Sequence, residues 1–331
     1  MSMAKRTRAQ YAAQNDGIFA ETPSLPRNMM VELSNGCNHA CIFCPNPHMR
    51  RAKGRIDQDL MYRIISEAHE AGVREIGFYT TGDPFIHKGL ADFTAHAKTT
   101  GFEYIYISTN GALATPDRSK AVIDAGMDSI KFSINAGSRE TYRSIHGRDD
   151  WDAVVSNLEF IASYRREHAP SLKLFITCVM TKPMEHEIES MKARFEPLVD
   201  EIAFDQCTPL AWPDVEQHGN PTLCTMPFNR LHVTYEGYLT LCCVDFQNYL
   251  AVADLNTHSI VDAWNCQDFR KIRRRHLERN LSGTLCGKCW YGDPAPVNPL
   301  REDLADVLDY EKYDRIQREK ILESLRLDRS G

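Results

Sequence analysis

The chain has 331 residues, of which 43% are hydrophobic and 25% charged, and its net charge is −6. This composition is typical of a globular protein and excludes the basic excess of a nucleic-acid-binding protein. No run of about 18 apolar residues predicts a membrane span, and no apolar segment follows the charged first residues as in a secretory signal. We therefore expect a cytoplasmic protein without nucleic-acid or membrane partners. Eleven cysteines in such a chain indicate metal rather than disulfides.

Strand and helix patterns alternate along the first two thirds of the chain. Short apolar runs predict strands at 30–33, 75–79, 104–107, 129–134, 172–179 and 201–204. Apolar residues at helical spacing predict helices at 59–71, 90–99, 117–124, 151–167 and 187–195. About six short-looped units predict a parallel sheet, but they are too few for a closed barrel. The predicted fold class is α/β, an open partial (β/α)6 barrel with functional groups at the carboxyl ends of its strands.

The chain changes character after about residue 210, where prolines and cysteines accumulate in a loop-rich stretch. Within it, alternating residues predict a hairpin that turns at Glu236-Gly237. A region this small and rich in loops suggests that a metal organises it. We expect four segments: an N-terminal arm at 1–28, the barrel at 29–210, a small C-terminal metal domain at 211–298 and a C-terminal helix at 299–331.

The first cysteine motif is C-x3-C-x2-C, formed by Cys37, Cys41 and Cys44 directly after the first predicted strand. Three thiolates on one tight loop can hold three irons of a cubane cluster and leave the fourth iron open to an external ligand. A zinc loop or three core cysteines is the alternative, but a structural zinc site normally closes its fourth position with protein. The motif and its position resemble the radical S-adenosylmethionine (SAM) superfamily, over roughly residues 29–210.

This resemblance implies a [4Fe-4S] cluster on the three cysteines, with SAM chelated to the open iron and cleaved to a 5′-deoxyadenosyl radical. Later strand ends also resemble SAM-binding segments of the superfamily. Thr80-Thr81-Gly82-Asp83-Pro84 stands where the family has a G-G-E-P-like turn, and Thr81 and Asp83 depart from that pattern. Ordinary loop packing is the alternative for each segment alone. The candidate SAM contacts are Phe43, Thr81, Gly82, Asp83, Ser108, Asn110, Ser133 and Asn135.

A second set of cysteines spans the predicted hairpin and consists of Cys224, Cys242, Cys286 and Cys289. Four thiolates suit a tetrahedral zinc or a four-iron cluster with every iron ligated, and this chemistry alone leaves both open. The pattern C-x12-G-x4-C with a later C-x2-C resembles the SPASM and twitch domains of radical SAM enzymes, in its shorter, single-cluster twitch form. The resemblance implies a second [4Fe-4S] cluster. Cys243 is the alternative ligand, and the family spacing favours Cys242.

Two residues are candidates for proton and hydrogen-atom transfer. Asp245 follows the loop of the second cluster, where a related sulfatase-maturing enzyme has an acidic base, and a solvated loop acid is the alternative. Cys207 follows the sixth predicted strand and is a candidate hydrogen-atom donor, with a buried structural thiol as the alternative. Three residues near the fourth predicted strand could hold an anion or hydroxyls, namely Arg143, His146 and Arg148, but a position on a helix surface is the favoured interpretation of each.

The shortened cysteine pattern resembles that of 2-deoxy-scyllo-inosamine dehydrogenases. This implies oxidation of a hydroxyl-bearing carbon of a small polar substrate, a sugar or an aminocyclitol. An electron donor such as flavodoxin or ferredoxin would be the protein partner. Carbohydrate epimerisation and the modification of a peptide or protein are alternative reactions, and a non-catalytic metal-binding scaffold is the alternative outside enzymes.

Overall fold

The computed structural model describes residues 18–206, 223–305 and 312. Its strands are β1 (Asn28–Val31), β2 (Glu75–Gly77), β3 (Tyr104–Thr109), β4 (Ser129–Ser133), β5 (Lys173–Met180), β6 (Glu201–Gln206), β7 (Leu231–Val233), β8 (Tyr238–Thr240) and β9 (Ala251–Asp254). Its helices are α1 (Gln58–Glu70), α2 (Leu90–Thr100), α3 (Pro116–Asp124), α4 (Arg139–His146), α5 (Trp151–His168), α6 (Ile188–Phe195), α7 (Met226–Asn229), α8 (Ile260–Trp264), α9 (Gln267–Leu277) and α10 (Leu285–Tyr291).

One sheet contains all nine of these strands in the order β6-β5-β4-β3-β2-β1-β7-β8-β9. Strands β1 to β6 are parallel and neighbours in the order of the chain, and helices connect each to the next. No pairing between described residues joins β6 to β9, so the sheet is open. These observations confirm the predicted partial (β/α)6 barrel. The sequence patterns missed β9 and the helices α4, α7 and α10.

The outer face of the sheet packs against the helices because apolar residues alternate along the strands. In β3, Ile105 and Ile107 are buried in the main core, and Ile130 and Phe132 of β4 continue the same layer. Helix α1 adds its apolar stripe to that layer. The stripe consists of Leu60, Met61, Ile64, Ile65 and Ala68. Each fully buried large side chain of this kind contributes about 1.5–3 kcal/mol.

The opposite face of the strands lines the interior of the barrel and is mostly polar. Tyr106 and Ser108 of β3 alternate with the core isoleucines, as do Lys131 and Ser133 of β4. The ring of Tyr79, just after β2, contacts the ring of Tyr106 edge to face. The Lys131 ammonium lies 5.1 Å from the centroid of the Tyr79 ring. The interior therefore offers hydroxyl and ammonium groups to whatever enters the barrel.

The predicted hairpin is present as β7 and β8, which pair antiparallel through His232 and Thr240. Gly237 has φ +89, a left-handed conformation that most side chains disfavour, and its N–H donates to the Thr234 carbonyl at 2.9 Å. Strand β7 also pairs parallel to β1, with His232 beside Met30. The barrel sheet therefore continues directly into the second cysteine region.

The described part of the predicted N-terminal arm packs against the C-terminal region. The Pro23 carbonyl accepts a hydrogen bond from Trp264 Nε1 at 3.0 Å, and Glu21 forms an ion pair with Arg274 at 2.6 Å. Most of the predicted C-terminal helix lies outside the described residues, as does Cys207. In the described part of the chain, no helix combines the length and apolarity that a membrane span requires.

Candidate metal centres

The first cysteine loop leaves the carboxyl end of β1 and is bonded to the ends of β2 and α4. The Asp83 N–H donates to the Gly36 carbonyl at 2.9 Å. Ala40 N–H donates to the His146 carbonyl at 3.1 Å, and Ile42 N–H donates to the Ile145 carbonyl at 2.9 Å. Since these partners follow different strands, the barrel itself positions the thiols.

Burial shapes the chemistry of the three thiols on this loop. Burial raises the pKa of Cys37 to about 11, and it raises the pKa values of Cys41 and Cys44 as well. The charges of Asp83 and Cys44 add to the increase for Cys37, and those of Cys44 and Cys37 add to the increase for Cys41. Buried thiolates this costly to charge are suited to a cationic metal centre that neutralises them.

The spacing of the sulfur atoms distinguishes an iron–sulfur cluster from a single zinc ion. Zinc–sulfur bonds of about 2.3 Å in a tetrahedron bring the sulfur atoms within about 3.8 Å of one another. Among the described residues, the only three ligand atoms that lie mutually within 4.8 Å belong to His39, Cys41 and His146. No three cysteine sulfur atoms among the described residues are therefore grouped closely enough for one zinc ion.

The Thr80–Pro84 turn packs directly against the cysteine loop. A Cβ at Gly82 would lie 2.2 Å from the Ser34 carbonyl oxygen and 2.3 Å from that of Gly36, so only glycine allows this approach. The Thr81 hydroxyl donates to Glu32 at 2.8 Å. Gly82 therefore keeps the turn next to the site of the cluster.

The carboxylate of Asp83 is occupied by protein donors. It accepts hydrogen bonds from Phe85 N–H at 3.0 Å, the Thr109 hydroxyl at 2.8 Å and Asn110 N–H at 2.9 Å. Burial raises the pKa of Asp83, and these hydrogen bonds act in the opposite direction. Asp83 joins the end of β2 to the end of β3.

The other candidate SAM contacts lie at the ends of β3 and β4 and on the cysteine loop. Ser108 and Ser133 face each other with 3.5 Å between their hydroxyl oxygens. Asn110 Nδ2 donates to Cys37 Sγ at 3.7 Å, whereas the buried amide of Asn135 is bonded to Val179 and His146. Phe43 is half-buried and packs against the core. The structure thus places Ser108, Asn110 and Ser133 near the cluster loop or the barrel interior.

The second set of cysteines meets around one cavity. Cys224, Cys242, Cys286 and Cys289 all line it, together with apolar residues that include Leu241, Leu250 and Leu285. Burial raises the pKa values of Cys224, Cys286 and Cys289. Four soft thiol donors around an apolar cavity fit an iron–sulfur cluster whose irons are all ligated by protein.

Cys242 and Cys243 lie just after β8 and differ in the cavities that they border. Cys242 lines both the four-cysteine cavity and a neighbouring pocket with Glu32 and His232, whereas Cys243 lines the neighbouring pocket and not the four-cysteine cavity. A hydrogen bond from Cys242 lowers the pKa of Cys243, and His232 and Arg230 lower it further. The geometry supports Cys242 as the ligand.

Cys242→Ala is expected to lose the second cluster, whereas the matched Cys243→Ala variant is expected to keep it. Only Cys242 borders the cavity that the other three thiols share. Iron analysis should show about eight irons per chain in Cys243→Ala and about four in Cys242→Ala. The reverse pattern would assign the ligand role to Cys243.

Asp245 lies in the loop after β8, where its carboxylate binds the backbone of that loop. It accepts hydrogen bonds from Gln247 N–H at 3.1 Å and Leu250 N–H at 2.6 Å. Burial raises the pKa of Asp245, and these donors oppose the increase. Its carboxylate also borders the pocket that Cys243 lines.

Several residues next to the centres carried no strong sequence signal. His146 is fully buried, and burial lowers its pKa to about 3, so the helix-surface interpretation was wrong. His39 is also buried and lies inside the cysteine motif. Arg51 binds Glu32 and Glu236. The available signal for His146 was its place beside Tyr142 and Ile145 on the buried face of a mostly polar helix.

Comparison with known protein families identifies two regions. The profile of the Radical SAM superfamily matches residues 31–214, which is more than half of the chain. The profile of SPASM, an iron–sulfur cluster-binding domain, matches residues 224–290. A probable GTP 3′,8-cyclase of Saccharolobus solfataricus is 27% identical over 135 residues, and the match spans 40% of this chain and 42% of that protein.

Solved structures share the fold at low sequence identity. A structure of BtrN in complex with AdoMet and 2-DOIA has a TM-score of 0.53 and 18% identity, covering 76% of this chain and 87% of that chain. A structure of Streptococcus suis SuiB bound to precursor peptide SuiA has a TM-score of 0.63 and 13% identity, covering 81% of this chain and 71% of that chain. Both similarities concern the barrel and its C-terminal extension as a fold.

Proposed function

Since this chain belongs to the radical SAM superfamily, we propose that it is an oxidoreductase acting on a hydroxyl-bearing carbon of a small polar substrate. A sugar or an aminocyclitol is the substrate class. One observation carries the proposal: four protein thiols surround the second cavity. A cluster held by these four thiols would have no open iron for substrate and would supply the electron acceptor that a net two-electron oxidation needs.

The cofactors are [4Fe-4S] clusters and SAM, as the two matched domains imply. Cys37, Cys41 and Cys44 would hold the catalytic cluster, because three thiols leave one iron open. When bound, this cluster and SAM supply a 5′-deoxyadenosyl radical. Flavodoxin or ferredoxin is the proposed source of the electron that starts each turnover.

The polar lining of the barrel supports a polyhydroxylated substrate. Ser108 and Ser133 present hydroxyl groups next to each other. Burial lowers the pKa of Lys131, and the nearby Asp205 opposes this effect. An ammonium beside hydroxyl donors can bind substrate hydroxyl groups and orient one carbon toward the radical. The chain's own residues would therefore hold the substrate, and the bound cofactors would supply the radical chemistry at the carbon–hydrogen bond.

Asp245 and Cys207 remain the proposed proton and hydrogen-atom carriers. Asp245 borders a pocket, but its carboxylate also organises the loop of the second cluster through its backbone partners. Cys207 would return a hydrogen atom to the substrate radical, which corresponds to epimerisation rather than oxidation. Peptide modification is the second candidate function, because the fold is shared with SuiB, whose structure holds a precursor peptide.

The test is the mass of the product formed in heavy water from 2-deoxy-scyllo-inosamine with SAM and dithionite. Oxidation is expected to give a loss of about two mass units, with one SAM consumed for each product. The physical reason is that a cluster held by the four thiols would supply the acceptor for the second electron. Mass spectrometry of the product and chromatography of 5′-deoxyadenosine check the two quantities.

Two results would contradict the proposal. A gain of about one mass unit that disappears in Cys207→Ala would establish epimerisation instead. An unchanged aminocyclitol, together with a mass change in a serine-containing peptide, would establish peptide modification. The variant with Cys37, Cys41 and Cys44 replaced by alanine serves as the control and should leave both substrates unchanged.

A further inference from the structure

We propose that His146 donates a hydrogen bond to the Cys41 thiolate and thereby raises the reduction potential of the catalytic cluster. The inference depends on Cys41 being a cluster ligand, but it does not depend on the identity of the substrate. His146 would act through Cys41, so it is a positioning residue that tunes the cluster. The argument rests on where the ring lies and which nitrogen carries its proton.

The His146 ring lies between the cysteine loop and the end of β4. Its Nδ1 is 3.6 Å from Cys41 Sγ. Its Nε2 is 3.3 Å from the backbone nitrogen of Asn135 and 3.3 Å from Asn135 Nδ2. The side chain is fully buried, so no bulk water competes for either nitrogen.

The partners of Asn135 determine the tautomer of His146. Asn135 Oδ1 accepts a hydrogen bond from Val179 N–H at 2.7 Å, which orients the amide so that Nδ2 faces the ring. Two N–H groups of Asn135 therefore point at Nε2, and that nitrogen must accept. The ring proton consequently resides on Nδ1, the nitrogen that faces the sulfur of Cys41.

The surroundings keep the ring in this orientation. Tyr142 stacks on His146 with 4.0 Å between centroids and 14° between planes, and His39 contacts its edge at 5.3 Å. Gly147 ends α4 with φ +67, and a Cβ there would lie 2.8 Å from the Ala40 carbonyl oxygen. This glycine allows α4 to dock on the cysteine loop, which fixes the distance from His146 to Cys41.

An N–H donor to a cluster sulfur favours the reduced state, because reduction places more negative charge on the sulfur ligands. The effect strengthens in a buried site, where water does not screen it. His39, Cys41 and His146 also lie close enough to bind one metal ion. A cluster ligated by Cys41 is incompatible with one ion bound to these three residues. The cluster and the single ion would therefore give different spectra.

The experiment compares His146→Phe with His146→Asn in the reconstituted holoenzyme. Phenylalanine keeps a ring for Tyr142 but has no N–H, whereas an asparagine amide can place a donor near the position of Nδ1. Redox titration followed by electron paramagnetic resonance should show a more negative midpoint in His146→Phe and a midpoint near the native one in His146→Asn. The variant with Cys37, Cys41 and Cys44 replaced by alanine gives the signal of the second cluster alone, and this signal is subtracted.

His96→Phe is the matched control, since His96 lies on α2 beside Ser66 and Tyr62. It should not change the midpoint. An unchanged midpoint in His146→Phe, with the catalytic cluster present, would overturn the inference and leave the cluster assignment intact. An error in assigning Cys41 as a cluster ligand would appear separately, because the catalytic cluster would then persist in a Cys41→Ala variant.

A second measurement does not require the phenylalanine variant to fold. Native protein labelled with [15N]histidine should show a weak 15N hyperfine coupling to the reduced catalytic cluster, and the coupling should vanish in labelled His146→Asn. No coupling in the native protein would refute the hydrogen bond. A coupling that survives in His146→Asn would assign it to another histidine, such as His39, and would also refute the inference. A mononuclear metal spectrum in place of the catalytic cluster would establish the three-residue ion site instead.

Discussion

Replacing Cys37, Cys41 and Cys44 together with alanine is expected to reduce 5′-deoxyadenosine formation to background while the second cluster remains. These thiols lie on a loop bonded to the barrel ends, whereas the other four cysteines line a separate cavity. Without the first cluster there is no open iron to bind SAM. Chromatography of the nucleoside after incubation with SAM and dithionite measures the loss, and iron should fall from about eight to about four per chain.

Cys178→Ala is the matched control for this experiment. Cys178 is a buried thiol on the helix-facing side of β5, with its sulfur next to Met184. Its removal should leave the iron content and nucleoside formation unchanged. Full nucleoside formation by the triple variant would contradict the assignment of the catalytic cluster to these cysteines.

Arg51→Met is expected to lower the free energy of unfolding by about 3–5 kcal/mol, because it leaves buried carboxylates without a counter-charge. Arg51 binds Glu32 through two nitrogens, at 2.8 and 3.2 Å, and its Nε binds Glu236 at 2.9 Å. The side chains of Arg51 and Glu32 are 1% and 2% exposed. Burial lowers the pKa of Arg51, but the two carboxylates outweigh burial and raise it above its ordinary value. Anaerobic urea unfolding measures the change.

Lys120→Ala provides the control for the loss of a charge. Lys120 pairs with Asp124 on the surface of α3, where both side chains are about half exposed, so the loss of stability should be much smaller than in Arg51→Met. Arg51→Lys should fall between the two variants because an ammonium cannot bind Glu32 through two nitrogens. An Arg51→Met protein that unfolds at the same urea concentration as the native chain would contradict the role of this network.

The Arg51 network also bears on function, because it joins the turn after β2 to the β7–β8 hairpin. The Thr81 hydroxyl, on the turn that contacts the cysteine loop, donates to Glu32 at 2.8 Å. Glu236 lies in the turn between β7 and β8, which precedes Cys242. One buried guanidinium therefore holds the surroundings of both centres, and its loss should disturb both.

The sequence alone predicted the parts of this protein that depend on neighbours along the chain. The six parallel strands were found within two residues of their ends because apolar alternation is a local property. The C-x3-C-x2-C motif and the hairpin at Gly237 are local for the same reason. Helix α4 was missed although Ser138 caps it, since a short helix with Tyr142 and Ile145 as its apolar side chains carries a weak periodic signal.

Tertiary structure decided the features that join distant segments. His146 meets Cys41 across 105 positions of the chain, and Arg51 meets Glu236 across 185. No periodicity encodes such contacts, because they arise only when the strands are ordered in the sheet and the loops close over its end. The family spacing already favoured Cys242 over Cys243, and the shared cavity, which Cys242 borders and Cys243 does not, supports the same choice. Local patterns thus determined the secondary-structure elements and the candidate ligands, whereas the packing of the barrel decided what surrounds each thiol.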